Sequence, residues 1–137
     1  DQAPPISVPF RFFLTAPLFL LLVAAVLLWR GPEVFQSRFS PAAIAVTHLF
    51  VLGFLCSVVM GAMYQLVPVA LETRLFSERL ARWQFAFHLV GVIGMVWMFW
   101  RWDLKQVGHF GTVLMVGVGL FVYNIARTLR RSRRRST

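Results

Sequence analysis

Four apolar runs, each bounded by turn or charge signals, organise the chain. The first extends from about Phe10 to Trp29 and meets a stop signal at Arg30-Gly31-Pro32; Pro17 lies inside it, where a membrane helix tolerates the kink a proline introduces. The second runs from Pro41 to Leu66, with Ser40 suited to the N-cap, Pro41 to the first helical position and Pro68 to the end. The third covers Arg82 to Trp100, after a polar connection containing Glu72, Arg74, Glu78 and Arg79. The fourth begins near Gln106, with Asp103 placed to cap it, and fades after Tyr123 and Asn124 into a basic tail over 127–137. A helix needs roughly 20 apolar residues to cross a bilayer, and all four runs meet that length. The pattern predicts an all-α integral membrane four-helix bundle, one domain over 1–137, with spans at about 10–29, 41–66, 82–100 and 106–126. Only Arg101 to Lys105 separate the last two spans, which must therefore form an antiparallel hairpin.

Composition removes the alternatives. Of 137 residues, 58% are apolar and only 14% charged, whereas soluble domains carry about 25% charged residues. A soluble fold and a two-domain enzyme are both excluded. No small-residue cleavage site follows the first apolar run, which is expected to remain as a signal anchor. The single cysteine, Cys56, lies inside a span, so no disulfide can form within the chain.

The net charge of +9 raises the question of a nucleic-acid partner, and its distribution answers it. With four spans, both termini and the 67–83 connection share one side. That side carries Arg11, Arg74, Arg79, Arg82 and the six arginines between Arg127 and Arg135, ten in all; the other carries Arg30, Arg38, Arg101 and Lys105. The positive-inside rule makes the ten-arginine side cytoplasmic. The tail is then a topology determinant that also attracts anionic lipid at about 1 kcal/mol per residue, and no nucleic acid is expected. Phe10, Phe12, Phe76 and Trp83 mark one interface, and Trp29, Phe39, Trp100 and Trp102 the other.

No acidic residue or lysine lies within a span, which argues against a carboxylate proton relay. The chain has no Ser-His-Asp set, paired carboxylates, phosphate loop or cysteine pair, so hydrolytic and nucleotide chemistry have no support. Three intramembrane histidines remain as the candidate ligands: His48, His88 and His109. At a helical rise of about 1.5 Å per residue, His48 lies about 10 Å and His109 about 5 Å in from the outer side. His88, about 9 Å from the inner side by the same rise, belongs to the other half. Two imidazoles facing each other across a bundle suit a low-spin haem, which makes His48 and His109 the expected pair. Small residues would let the ring approach backbone: Gly53, Ser57 and Gly61 on the second span, Gly91 and Gly94 on the third, and Gly108, Gly111, Gly117 and Gly119 on the fourth. Arg38 and Arg101 stand at the outer boundary, where propionates would point. Glycine strips also serve plain helix packing. The five methionines, among them Met60 and Met95, could serve copper(I), or fill space.

The second span reads Thr47-His48-Leu49-Phe50-Val51-Leu52-Gly53-Phe54 and later Met60-Gly61-Ala62-Met63-Tyr64-Gln65-Leu66-Val67-Pro68. It resembles the second-helix motif of membrane proteins grouped with the NnrS family and haem-copper oxidase subunit I. Phe10-Arg11-Phe12-Phe13-Leu14-Thr15-Ala16-Pro17 is similar to the opening helix of that group. The resemblance covers about the first half of the chain and implies that His48 is a haem ligand; His88 and His109 sit in no comparable motif. The oxidases' three-histidine copper set has no counterpart here. The expectation is a minimal haem b protein of a bacterial inner membrane, serving electron transfer or binding of a diatomic gas such as nitric oxide or oxygen, as a homo-oligomer or beside a respiratory-chain partner. A copper-binding membrane protein and a cofactor-free accessory or assembly subunit are the alternatives.

Overall fold

Four helical rods make up residues 5–136, which the computed structural model describes; residues 1–4 and Thr137, the lead before the first span and the last residue of the basic tail, lie outside them. The first rod is α1 (Ser7–Gln36). The second is continuous from Pro41 to Ala70: α2 (Pro41–His48), a π-helical segment (Leu49–Leu55) and α3 (Cys56–Ala70). Helices α4 (Glu78–Trp100) and α5 (Leu104–Ser136) follow. Each rod is long and apolar enough to cross a bilayer, so the protein is a multi-pass membrane protein.

The helix starts follow the side chains that satisfy them. Ser40 accepts from the Ala43 amide at 3.1 Å with Pro41 at the first position, Ser77 accepts from Leu80 at 3.0 Å, and Asp103 accepts from Gln106 at 3.3 Å. Three boundaries differ from the sequence expectation. Arg30-Gly31-Pro32 does not end α1 but bends it, with Arg30 at φ −131°, ψ 27°. Pro32 lacks the amide that would reach the carbonyl four residues back, and its ring crowds that carbonyl, so the turn opens without terminating. Pro68 sits inside the last turn of α3. The basic tail continues α5 to Ser136, because arginine is a good helix former and the tail contains no glycine or proline.

Helices α3 and α4 end in the same way. Beyond α3, the Thr73 and Glu72 amides return to the carbonyls of Pro68 and Val69; beyond α4, those of Asp103 and Trp102 return to Met98 and Phe99. This double return requires a left-handed residue, usually glycine. Here Glu72 (φ 51°) and Trp102 (φ 56°) take the position.

Helices α4 and α5 form the expected antiparallel hairpin and the most extensive pairing in the bundle. Gly91 makes it close: a Cβ there would lie 2.9 Å from the Leu114 backbone. Helix α1 packs along α3 and the π-helical segment, and α2 rests on α4. At one end, Val8, Phe12, Tyr64, Leu75, Ala81, Phe121 and Ile125 form a core that draws on every rod. A second core, around Phe19, Val46, Leu49, Val92 and Leu114, fills the other half, where Trp29 and Trp100 stack at 6.2 Å.

Candidate ligand site around His48 and the His88 core

His48 closes the α-helical part of the second rod. Its Nδ1–H donates to the Ile44 carbonyl one turn back at 2.7 Å, and its ring rests on Phe99 with centroids 4.4 Å apart. That bond commits Nδ1–H to the carbonyl, and among the described residues Nε2 has no hydrogen-bond partner. The half-buried ring borders an apolar groove of about 350 Å³, with Thr47, Val51 and Leu52 on one wall and Met95 and Phe99 on the other. A backbone carbonyl holding Nδ1–H is the outer partner that a metal-ligating imidazole commonly has, and His48 combines it with a place on an apolar groove.

His88 is used differently. Through the π-helical segment the hydrogen bonds run five residues back, the last from the Cys56 amide to the Val51 carbonyl. Four-residue spacing resumes in α3, so the carbonyl skipped at the junction is that of Leu52. His88 Nε2–H, from α4, donates to it at 3.0 Å, with Ser57 Oγ 3.5 Å away. An orphan carbonyl in a bilayer is costly, and His88 supplies the missing donor. The ring is 1% exposed and borders neither the His48 groove nor the larger apolar cavity of about 550 Å³ between α1 and α4, where Trp29, Trp97 and Trp100 gather. Its Nδ1 is buried with no hydrogen-bond partner.

From His88 toward the arginine-rich end, buried polar groups continue. Gln84 receives the Tyr64 hydroxyl at 3.1 Å and directs its own Nε2 to Met60 Sδ at 3.3 Å. Asn124 brackets Ser77, accepting from its amide at 3.1 Å and donating to its carbonyl at 2.8 Å. Thr128 Oγ1 accepts from the Phe76 amide at 3.0 Å and donates to the Asn124 carbonyl. Tyr64, Gln84, Asn124 and Thr128 are not among the candidate site residues of the sequence. For Tyr64, Gln84 and Asn124 the signal is an uncharged polar residue among apolar neighbours in a span, where it needs a partner; Thr128, among the tail arginines, carries no such signal.

The remaining candidates are dispersed. His109 is exposed on α5, its Nδ1–H directed to Gln106 Oε1 at 3.2 Å, and it does not line the His48 groove. Met95 stands between, lining that groove while its methyl end lies against Gly111 of α5. Arg38 is exposed with its guanidinium over Phe39, and Arg101 is exposed beyond Trp100. The glycine faces of the second span are filled: a Cβ on Gly53 would lie 2.8 Å from the Phe19 ring, and one on Gly61 2.9 Å from Phe12. These two glycines seat phenylalanines of α1 and leave no room there for a porphyrin. Among the described residues, no three of His, Cys, Asp and Glu gather as a metal cage. What the chain presents is one ligand-ready imidazole on an apolar groove. No family model, no curated protein and no solved structure matches the chain.

Proposed function

We propose that the protein is a membrane haem b protein in which His48 would hold the iron. The single observation that carries the reading is the position of His48, held at Nδ1 by the Ile44 carbonyl and lining the apolar groove. The donor set fits the group: an imidazole nitrogen for iron, and apolar walls with Phe99 and Met95 for the macrocycle. The groove, at about 350 Å³, is at the small end of ligand sites, so the group would be completed on its open side by a second copy or a respiratory-chain partner. When bound, haem would supply a redox-active iron able to take a diatomic gas.

The chain's own residues define which use is favoured. His48 offers one nitrogen, His88 spends Nε2 on Leu52, and His109 lies outside the groove. Held by one imidazole, haem would suit binding of nitric oxide or oxygen; a second imidazole would favour electron transfer. The arginine distribution supports an orientation with both termini cytoplasmic, and the proposed membrane is a bacterial inner membrane.

Purified protein should show a Soret band, and electron paramagnetic resonance should show five-coordinate iron. His48→Ala should lose the haem, while His88→Ala and His109→Ala retain it. Normal haem content in His48→Ala would refute the assignment, and a bis-histidine signature would replace gas binding by electron transfer. Met95 beside His48 favours one second reading, copper(I) held by imidazole and thioether; copper without haem in elemental analysis of the same sample would establish it.

A further inference from the structure

The six arginines of the tail need no particular arrangement to set topology; net charge near a span suffices. Four of them are nevertheless arranged. Arg127, Arg130, Arg131 and Arg134 follow the spacing i, i+3, i+4, i+7 and lie on one face of α5. Together with Phe76 they line a concave pocket of about 250 Å³, and no acidic side chain contributes to its wall.

The pocket is held in shape by the connection between α3 and α4. Asn124 and Thr128 fasten the backbone of Ser77 and Phe76 to α5. The Phe76 ring is thereby fixed as a floor, with the Arg127 guanidinium 4.7 Å and that of Arg131 5.8 Å from its centre. Arg131 also donates to the Arg74 and Leu75 carbonyls. Stacking and carbonyl bonds restrict these guanidiniums before any ligand arrives, which lowers the ordering cost of binding. A concavity lined by guanidiniums favours an anion, and the guanidinium fork matches phosphate oxygens in pairs. Arg127 lies 23 residues beyond Leu104, about 35 Å along the helix at the usual rise, just past a hydrocarbon core about 30 Å thick. The pocket is therefore at headgroup level.

We propose that this pocket is a phosphate-binding site that takes phosphate monoesters or diphosphates in preference to singly charged headgroups. The phosphate can be presented by a lipid headgroup or by a soluble molecule, and the test separates the two sources.

The full chain, held in phosphatidylcholine nanodiscs, is offered phosphatidic acid, with retained lipid counted by native mass spectrometry, and in a parallel arm inorganic pyrophosphate by calorimetry. At least one probe should bind, and Arg127→Gln/Arg130→Gln should weaken it about tenfold, the loss expected for charge-assisted bonds. Arg79→Gln/Arg82→Gln, which removes the same charge at the same end but outside the pocket, should change it less than about twofold, as expected of screened surface charge. Arg131 is left intact in both because it holds the connection. Pocket-dependent retention of phosphatidic acid identifies a lipid site; pocket-dependent binding of pyrophosphate that displaces phosphatidic acid identifies a soluble ligand. Equal weakening by the two double variants would reduce the pocket to a diffuse basic surface and overturn the proposal, as would a failure of both probes to bind. Helical content by circular dichroism confirms that the variants fold.

Discussion

The two halves of the bundle hold their helices together by different means. Toward the arginine-rich end, an apolar core is supplemented by specific polar contacts, Tyr64 with Gln84 between rods and Asn124 with Ser77 and Thr128 with Phe76 between α5 and the α3–α4 connection. Toward the tryptophan end, the cores are apolar, Trp29 stacks on Trp100, and two apolar spaces of about 550 and 350 Å³ remain between helices. His88 lies near the boundary and belongs functionally to the first half, because its Nε2 completes the backbone of the second rod. His48, one π-helical segment away from α3, belongs to the second, where a nitrogen is left free at a groove. A bilayer supplies no solvent to satisfy stray polar groups, and the closed half pairs its buried polar side chains apart from His88 Nδ1 and Thr73 Oγ1 among the described residues. The open half can leave apolar space because lipid or a ligand fills it without penalty.

Unfolding measurements in detergent by titration with dodecyl sulfate can separate these halves. Gly91→Leu should have the largest effect, about 3 kcal/mol of destabilisation by overpacking, since the added carbons meet the Leu114 backbone and force α4 from α5. Asn124→Ala should cost about 1.5 kcal/mol, near the upper range for polar contacts in membrane proteins, because the Ser77 amide loses its partner and the Ser77 carbonyl keeps only the Ala81 amide. His88→Leu should cost about 1 kcal/mol on the same basis and leave haem content unchanged. If it instead removed haem with stability intact, the division between the two histidines would fail. His48→Leu is expected to do the opposite, losing haem while stability shifts by less than about 0.5 kcal/mol, as for sites away from structural features. Gly119→Ala, at an exposed site with nothing within 4 Å, should be the smallest change, a stabilisation of up to about 0.5 kcal/mol from helix propensity.

The spans were legible because crossing a bilayer imposes a length and an apolar content that few other sequences meet. Ser40-Pro41 and Asp103 marked helix starts for local reasons, and the structure uses them so. The helix ends after α3 and α4 were less legible, since Glu72 and Trp102 occupy left-handed positions that a reader would assign to glycine. Arg30-Gly31-Pro32 carried a correct local signal, a broken hydrogen-bond pattern, whose outcome as bend or stop depends on what the next turn packs against. The glycine strips were recognised as close-approach faces, but only tertiary packing shows that Phe12 and Phe19 fill those of the second span.

The roles of the histidines mark the same division. Residue type and hydropathy alone determined that three imidazoles lie in spans and that each needs a use, because an intramembrane polar group is costly. Which use each has was decided in three dimensions. The π-helical segment leaves over one carbonyl, and only the approach of α4 brings His88 to it. Local helix geometry gives His48 its Ile44 bond, but the groove its free nitrogen borders exists only where Met95 and Phe99 of α4 face the second rod. Periodicity along one chain fixes how far a residue lies along its helix; which neighbour it meets depends on the rotation and pairing of helices.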